Sequence, residues 1–420
     1  MLDLRLIRQD PDRVRASIAR RGPVDALDEV VALDRDARET RTRVETARAE
    51  RGRLSKAVGM AKREGRDSSA EEAAARAIGE ALTQDEDRLR DLESRRDELL
   101  LGLPNLAQDE APDGGEDDAV LVRTVGEPPA LAEPVRDHVE IGELLGGLDM
   151  EQAAKISGAR FAYLMGPLAR LQVALTGFAI DLLERRGFTP VIPPVLVREE
   201  AMYGTGFFPT DRASIYQLAD DDLYLVGTSE VPLAGLGYDR IFAAADLPLR
   251  FAGMSSCFRR EAGAAGRDTR GIFRVHQFDK VEMFTFTSPE ESAAEHLRIL
   301  SVQEEILQAL GLHYRVMDIA VGDLGASAAR KFDCEAWMPG QQRFREVTSC
   351  SNCTDYQARR LNCRAKGEGG TETVHTLNGT AVAVGRTIIA IIETHQRPDG
   401  SVAVPEALQA HGAPAVLAPR

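Results

Sequence analysis

Two runs of apolar residues spaced alternately four and three apart fix the shape of the N-terminal part of this chain. The first is Ala26, Val30, Leu33, Ala37, Thr40, Val44, Ala47, Leu54 and Val58, with Arg51 interrupting it. The second is Ile78, Leu82, Leu89, Leu92, Leu99 and Leu103. A seven-residue rhythm puts a narrow apolar stripe on one side of a helix, and such a stripe needs a second helix to cover it. Between the runs, residues 61–70 (AKREGRDSSA) are polar and broken by glycine, which predicts a turn. The two helices then fold back as an antiparallel coiled-coil hairpin. At 1.5 Å of rise per residue it reaches on the order of 50 Å. Residues 1–22 predict a short helix and loop before it.

Charge is uneven along that hairpin. Arg35, Arg38, Arg41, Arg43, Arg48, Arg51, Arg53, Lys56, Lys62, Arg63 and Arg66 outnumber the acids among them, Asp36, Glu39, Glu45, Glu50 and Glu64. The whole chain carries a formal net charge of -15, which argues against general affinity for nucleic acid; any RNA contact must come from a local basic surface. Two explanations of the basic arm stand side by side. It is a solvated coiled-coil face, or it grips an RNA backbone through its phosphates.

At 420 residues and 43% apolar the chain exceeds one ordinary core and can bury a large one. It divides into residues 1–108, with the hairpin over about 26–103, a linker over 109–135, and a second domain over 136–420. The linker follows from the Pro-, Gly- and Asp-rich stretch 101–120. No export signal or membrane-length apolar run is visible, and the longest apolar stretches, such as 387–392, predict buried strands. Five cysteines without an export signal point to a reducing cytoplasm.

In the second domain Leu168, Leu171, Leu175, Phe178, Leu182 and Leu183 mark one face of a helix that ends near Gly187. Strands are predicted over 223–226, 249–258, 273–286, 314–320, 332–338, 344–349 and 373–376. Neither a βαβ rhythm nor a dinucleotide-binding glycine motif is present. The fold class is α+β, an antiparallel sheet flanked by helices.

Residues 257–284 (CFRREAGAAGRDTRGIFRVHQFDKVEMF) predict a strand, a glycine-rich basic loop and a second strand. Phe278 and Glu282 share one face of the latter, roughly 13 Å apart. That leaves room for a nucleotide at one end and a small amine-bearing substrate at the other. The loop lacks the GK[ST] ending of a Walker loop. Taken alone, an Arg-x-Glu is commonly a surface pair, a Phe is commonly core, and a TSE triplet is common in loops. Cys350 and Cys353 form a C-x-x-C, with Cys334 and Cys363 near in sequence. Four thiolates could bind zinc, but the outer spacings fit neither ribbon nor finger, so free buried thiols are preferred and no structural zinc is expected. His276 and His375 are read as structural, since no nucleophile–base pair is visible.

With REAG, GRDTRG and HQFDKVEM in this segment, a helix ending in IPPV before it, and LNGTAVAVGRTIIAIIE around Arg386, the chain resembles the bacterial seryl-tRNA synthetase family of class II. MLDLRLIRQDPDRV, LPNL, HVEIGELLGGLDMEQAAKISGARFAYL and GTGFFP extend the resemblance over nearly the whole length. It implies a homodimeric catalytic domain with a six- or seven-stranded antiparallel sheet and Pro194 at the dimer interface. It implies that the hairpin recognises the long variable arm of tRNA, reaching across to the tRNA charged by the other subunit, with Arg35, Arg38, Arg41, Arg48, Arg51, Lys62 and Arg63 as the candidate contacts. The implied reaction joins L-serine to ATP as seryl-adenylate and passes the seryl group to tRNA(Ser), and also to tRNA(Sec).

The resemblance assigns Arg259 to the α-phosphate and Arg386 to the γ-phosphate; a guanidinium suits both because its planar fork bonds phosphate bidentately. Glu261 holds the adenine amino group, Phe278 stacks on the ring, and Arg260, Val275, Val347 and Thr348 border the ATP site. Glu346 and Ser349 are the expected Mg2+ ligands. Residues three apart on a flat strand point to opposite faces, so this pair requires a bulge or strand end at Thr348. Thr228, Ser229, Glu230, Arg259, Glu282, Asn378 and Thr380 form the serine pocket. Glu230 meets the ammonium, and Glu282 with Thr380 brackets the hydroxyl. A site built around a hydroxyl rejects alanine because its own polar groups would be left unpaired. Arg267 and Arg270 are placed for ATP or the acceptor end of tRNA. Arg260, Thr348 and Thr380 replace serines common in some relatives, and Ala381 stands where many have glycine, which leaves open a housekeeping enzyme or an inhibitor-tolerant second copy. Two other readings remain: amino-acid activation for a carrier protein, against which the intact hairpin counts, and an inactive RNA-binding paralogue, against which Arg259, Glu261, Glu282, Glu346 and Arg386 count together.

Overall fold

The computed structural model describes residues 1–262, 266 and 268–420, so Arg267 lies outside the described residues. The chain forms two compact units, Leu2–Leu103 and, with Met1, Pro104–Arg420.

The first unit opens with helices α1 (Leu4–Gln9) and α2 (Pro11–Ala19). Asp10 caps α2 by accepting from the Arg13 N–H, and Pro11 occupies the first turn, where its missing N–H costs nothing. Two long helices follow, α3 (Asp25–Arg63) and α4 (Ser69–Gly102). Salt bridges join Arg41 to Glu93, Arg43 to Asp85, Arg48 to Glu86 and Lys62 to Glu72, so the helices run antiparallel. The turn is tighter than predicted, residues 64–68.

Val30, Leu33, Ala37, Thr40, Val44 and Leu54 are buried along the predicted seam. Ala26 is exposed, and Leu27 takes the inward place. The second rhythm skips positions 85 and 96, and charges fill both gaps. Asp85 holds Arg43 at 2.9 Å. Arg96 turns inward to Asp34, which is 3% exposed. The Asp34 carboxylate accepts from Arg8 at 2.6 and 2.8 Å, from Arg38 at 3.1 Å and from Arg96 at 3.4 Å. Burial pushes this carboxyl up, but the guanidinium groups, Arg8 first, outweigh it and hold it below the usual range.

The second unit is built on an eight-stranded sheet. Its strands in chain order are β1 (Val120–Val125), β2 (Thr189–Val191), β3 (Leu249–Phe258), β4 (Gln277–Thr287), β5 (Tyr314–Asp318), β6 (Arg330–Met338), β7 (Arg343–Asn352) and β8 (His375–Ala383). They lie in the order β1-β5-β6-β7-β8-β4-β3-β2. Seven are antiparallel, and β2 joins β3 in parallel at one edge. The helices that matter for the site are α5 (Gly166–Arg185), α6 (Glu230–Ala234), α7 (Ser292–Ala309) and α8 (Val384–Thr394). The predicted face of α5 is buried, and Gly187 follows its end with a φ of +84°, a left-handed conformation glycine adopts without strain. Leucines of α5, Ile299 and Ile306 of α7, and Ile388, Ile389, Ile391 and Ile392 of α8 share one core with Val281, Met283, Phe332 and Ala336 of the sheet.

Three expectations change. Residues 387–392 form the middle of helix α8, not a strand. Five successive residues from Ile388 to Ile392 are at most 1% exposed, and a helix apolar on every side is one sunk in a core. The segment 109–135, read as linker, contains β1, which pairs with β5 from Val120↔Asp318 to Val125↔Tyr314. The strand predicted over 373–376 continues through Ala383 as β8. Among the described residues no helix is long and apolar enough to cross a membrane.

Candidate active site

A cavity of about 300 Å³ opens at the middle of the sheet, lined from β4, β6, β7, β8 and the segments before α6 and after β3. Fourteen of the residues singled out from the sequence line it: Thr228, Glu230, Arg259, Glu261, Val275, Phe278, Glu282, Glu346, Val347, Thr348, Ser349, Asn378, Thr380 and Arg386. Ser229 and Arg260 do not. Ser229 is fully buried, its hydroxyl 2.7 Å from that of Ser255. Arg260 is exposed.

One end of the cavity is lined with carboxylates. Thr380 stands opposite Glu282 in the β8–β4 ladder, and its Oγ1 donates to Glu282 Oε2 at 3.2 Å. Lys280, two residues before Glu282 and on the same face, places Nζ 2.5 Å from that carboxylate and 3.4 Å from the Thr380 hydroxyl. Glu230 opens α6 and is held by Gln357 at 2.7 Å and Asn378 at 2.9 Å, both donating to Oε1. Its backbone N–H donates to Thr228 Oγ1 at 3.1 Å. Burial, with the nearby charge of Glu282, pushes the Glu230 carboxyl up to about 7. A carboxyl left so short of countercharge is a ready partner for an ammonium.

The other end carries cations. Arg259 leaves β3 with its N–H donating to His276 O at 2.9 Å and its Nε to Gly227 O at 3.2 Å. Its guanidinium lies 5.3 Å from the Phe278 ring centroid, a cation–π contact. Glu261 has a φ of +52°, rare for a residue with a side chain, and accepts from Arg274 at 2.5 Å. Arg386, on α8, contacts Glu346 at 3.1 Å and lies 4.6 Å from the Phe273 ring centroid. Burial pushes the Glu346 carboxyl up, but Arg386 and Lys331 outweigh it and hold it below the usual carboxylate range.

Glu346 and Ser349 do share a face. In the β6–β7 ladder Glu335 pairs with Glu346, Cys334 with Thr348 and Asp333 with Ser349, which leaves Val347 as an extra residue. The required bulge therefore sits at Val347, one residue before the expected Thr348. A second bulge lies opposite in β8, between Thr380 and Val382.

Sequence reasoning missed Lys280, Phe273, Lys331 and Gln357. Lys280 was within reach, since 278, 280 and 282 alternate onto one face. Gln357, remote from its partner Glu230, carries no local signal. Arg270 pairs with Asp137 and does not line the cavity. The C-x-x-C pair is divided between sites. Cys350 belongs to the main core, while the Cys353 thiol lies 3.6 Å from Asn378 Nδ2, and Cys363 packs in a separate cluster with Phe284 and Phe286.

Known proteins share this arrangement. A family model for the seryl-tRNA synthetase N-terminal domain matches residues 1–107, and one for the class II tRNA synthetase core domain (G, H, P, S and T) matches 214–395. Serine–tRNA ligases from Acidothermus cellulolyticus and Nocardia farcinica are 50% and 51% identical, covering 100% and 97% of both chains respectively. The solved seryl-tRNA synthetase of Pyrococcus horikoshii, complexed with ATP, is 41% identical with a TM-score of 0.96 over all of both chains. The cytoplasmic enzyme of Naegleria fowleri, in complex with AMP, is 34% identical with a TM-score of 0.91, over 100% of this chain and 99% of its own. Matched over its whole length in sequence and fold, with both domain models in order, the chain belongs to the seryl-tRNA synthetase family of class II aminoacyl-tRNA ligases.

Proposed function

We propose that this cavity activates L-serine with ATP and that the protein passes the seryl group to the 3' end of tRNA(Ser). One observation carries the reading: a single cavity brings together a carboxylate-lined end, with Glu230, Glu282, Asn378 and Thr380, and a cationic end, with Arg259 and Arg386. Glu230 takes the substrate ammonium, and Glu282 with Thr380 takes its hydroxyl. A substrate carboxylate between the two ends attacks the α-phosphorus of ATP. The bond from that phosphorus to the bridging oxygen breaks, and pyrophosphate leaves with the electron pair. Arg259 meets the charge that develops on the α-phosphate and Arg386 meets the γ-phosphate; fixed cations in a partly dry site are worth more than in water. Glu261 holds the adenine amino group and Phe278 its ring. The terminal hydroxyl of tRNA then attacks the seryl carbonyl, the bond to phosphate breaks, and the AMP phosphate oxygen accepts the hydroxyl proton.

Glu346 and Ser349, turned to one face by the Val347 bulge, offer a hard-oxygen pair of the kind that suits Mg2+. The bound ion supplies positive charge beside the triphosphate.

The arm binds the tRNA in this reading. Arg38 holds the buried Asp34; Arg35, Arg41, Arg48 and Lys62 each hold a solvent-accessible acid of the hairpin; and Arg51 and Arg63 are exposed without an ion pair among the described residues. Exposed pairs are worth about 0–1 kcal/mol, so phosphates can displace the accessible acids at small cost. The same arm serves tRNA(Sec). The protein acts as a homodimer with tRNA bound across subunits, a reading supported by Ile192, 82% exposed, beside exposed Pro194. It works in the cytoplasm, in keeping with five buried cysteines.

The test is ATP–pyrophosphate exchange with each of the twenty amino acids, followed by charging of tRNA(Ser) and tRNA(Sec) transcripts. Serine alone should support exchange, and both transcripts should accept it. Exchange with another amino acid, or none with serine, overturns the reading.

A further inference from the structure

Two residues of the cavity wall are tied together by a side chain that does not line it. In the β7–β8 ladder Asn352 pairs with Leu377, Ser351 with Asn378 and Cys350 with Gly379. The next pair in this register would be Ser349 with Thr380, but the ladder stops before it. These are the residues assigned above to the metal and to serine. Bulges flank the break on both sides, at Val347 in β7 and at Ala381 in β8.

Gln303, on α7, is fully buried and reaches into this break. Its Nε2 lies 2.7 Å from the Ser349 carbonyl, 2.9 Å from the Thr380 carbonyl and 2.8 Å from Thr348 Oγ1. The Thr348 hydroxyl donates to the same Thr380 carbonyl. The Ser349 carbonyl takes one amide hydrogen of Gln303, and the other reaches the Thr380 carbonyl directly or through the Thr348 hydroxyl, which donates to that same carbonyl. Gln303 Oε1 is buried without a partner among the described residues, a cost that a residue present merely to fill space would avoid. Gly379 makes the approach possible. A Cβ there would fall 2.4 Å from Ile299 Cγ2 and 3.2 Å from Gln303 Nε2.

We infer that Gln303 is a positioning residue, a spacer whose amide replaces the missing Ser349–Thr380 ladder bonds and sets the distance between the serine end and the metal-and-phosphate end. The inference rests on the assignment of Ser349 and Thr380 made under the proposed function. It separates Gln303 from the many glutamines that only satisfy a buried strand, because both carbonyls it holds belong to residues of the cavity wall. Without its N–H groups β7 and β8 are free to zip one pair further, and the serine carboxylate and the α-phosphorus lose their alignment.

Two variants test it in the full-length protein. Gln303→Met keeps the length and removes all donors. Gln303→Glu keeps the shape and leaves one donor when protonated and none when ionised. In serine-dependent pyrophosphate exchange each should raise both the KM for serine and the free Mg2+ needed for half-maximal rate by roughly tenfold or more, since small misplacements in an aligned site have effects of that size. The KM for tRNA should not move. A purely structural glutamine would lower the melting temperature and leave those two constants alone, and that result in either folded variant overturns the inference. Thr380→Val provides the reference. If it raises the serine KM while both Gln303 variants are normal, the spacer fails and the pocket stands. If wild type shows no exchange with serine, the pocket reading fails first.

Discussion

The arm and the catalytic cavity are both organised by ion pairs, yet the pairs differ in kind. At the cavity Lys280 and Glu282 keep 7% and 2% of their side chains exposed. Along the hairpin Arg48 and Glu86 keep 62% and 34%. Breaking a buried pair by removing one partner costs about 3–5 kcal/mol, whereas an exposed pair is worth about 0–1 kcal/mol. The cavity therefore holds its charges in one arrangement, as the proposed binding of one small substrate requires. The arm holds its cations loosely enough that another polyanion can take them over. Asp34 is the exception on the arm, a carboxylate as buried as Glu282 of the cavity, and it marks where the hairpin is fastened and not where it exchanges partners.

Removing residues 26–100 tests the separation most severely. The unit Pro104–Arg420 contains the sheet, the cavity and its own core. Serine-dependent exchange should persist and charging of tRNA should be abolished. Loss of both activities in a folded product would break the distinction between the two regions.

Within the cavity, Arg259→Ala should lower exchange by about 10²–10³-fold, the usual consequence of losing a preorganised contact to developing charge. Among the described residues its side chain makes a hydrogen bond to Gly227 O and a contact with the Phe278 ring, so the fold should hold, as circular dichroism would check. Near-normal exchange would remove Arg259 from the phosphate site. On the arm, Asp34→Ala removes the carboxylate that Arg8, Arg38 and Arg96 share, leaving Arg96 its second partner, Asp97 at 2.7 Å. We expect a loss of about 3 kcal/mol in the unfolding of the hairpin, read by chemical denaturation, with charging impaired and exchange unchanged. If the stability of the hairpin does not change, the Asp34 cluster is no better than the exposed pairs around it.

The hairpin could be read from local periodicity, and most of the cavity wall from the resemblance to the seryl-tRNA synthetase family. The four-three rhythm locates α3 and α4, and its gaps at 85 and 96 turn out to be the charged contacts. Alternation along 278–282 fixes which side chains of β4 face the site, Lys280 included. Reading failed where a tertiary partner decides. Residues 387–392 have the β-branched composition of a strand, and burial on all sides makes them a helix. Val120, Leu121 and Val122 are 44–53% exposed, so β1 has no apolar alternation to show. The need for a bulge near Thr348 followed from the spacing of Glu346 and Ser349. Its place at Val347 depends on pairing with Glu335 and Cys334, and Gln303 depends on a helix packing across two strands.

The gentlest probe uses pH, because Glu230 is pushed up to about 7 from an ordinary 4.5. In the unfolded chain it ionises near 4.5, while in the folded protein it stays protonated until about 7. Between those values the unfolded state binds fewer protons, so this group makes the fold less stable as pH rises, by about 3 kcal/mol in full above 7. Serine reverses the preference, since its ammonium needs the ionised carboxylate. The KM for serine in exchange should therefore rise as pH falls, by roughly tenfold from pH 8 to pH 6. Glu230→Gln should give a high and pH-independent serine KM over the same range. The hairpin has no buried carboxyl raised in this way, Asp34 being held low, so charging measured at saturating serine should follow the profile only weakly. A flat serine KM in the wild-type enzyme, together with an unchanged KM in Glu230→Gln, would remove Glu230 from the ammonium site and assign the ammonium to Glu282.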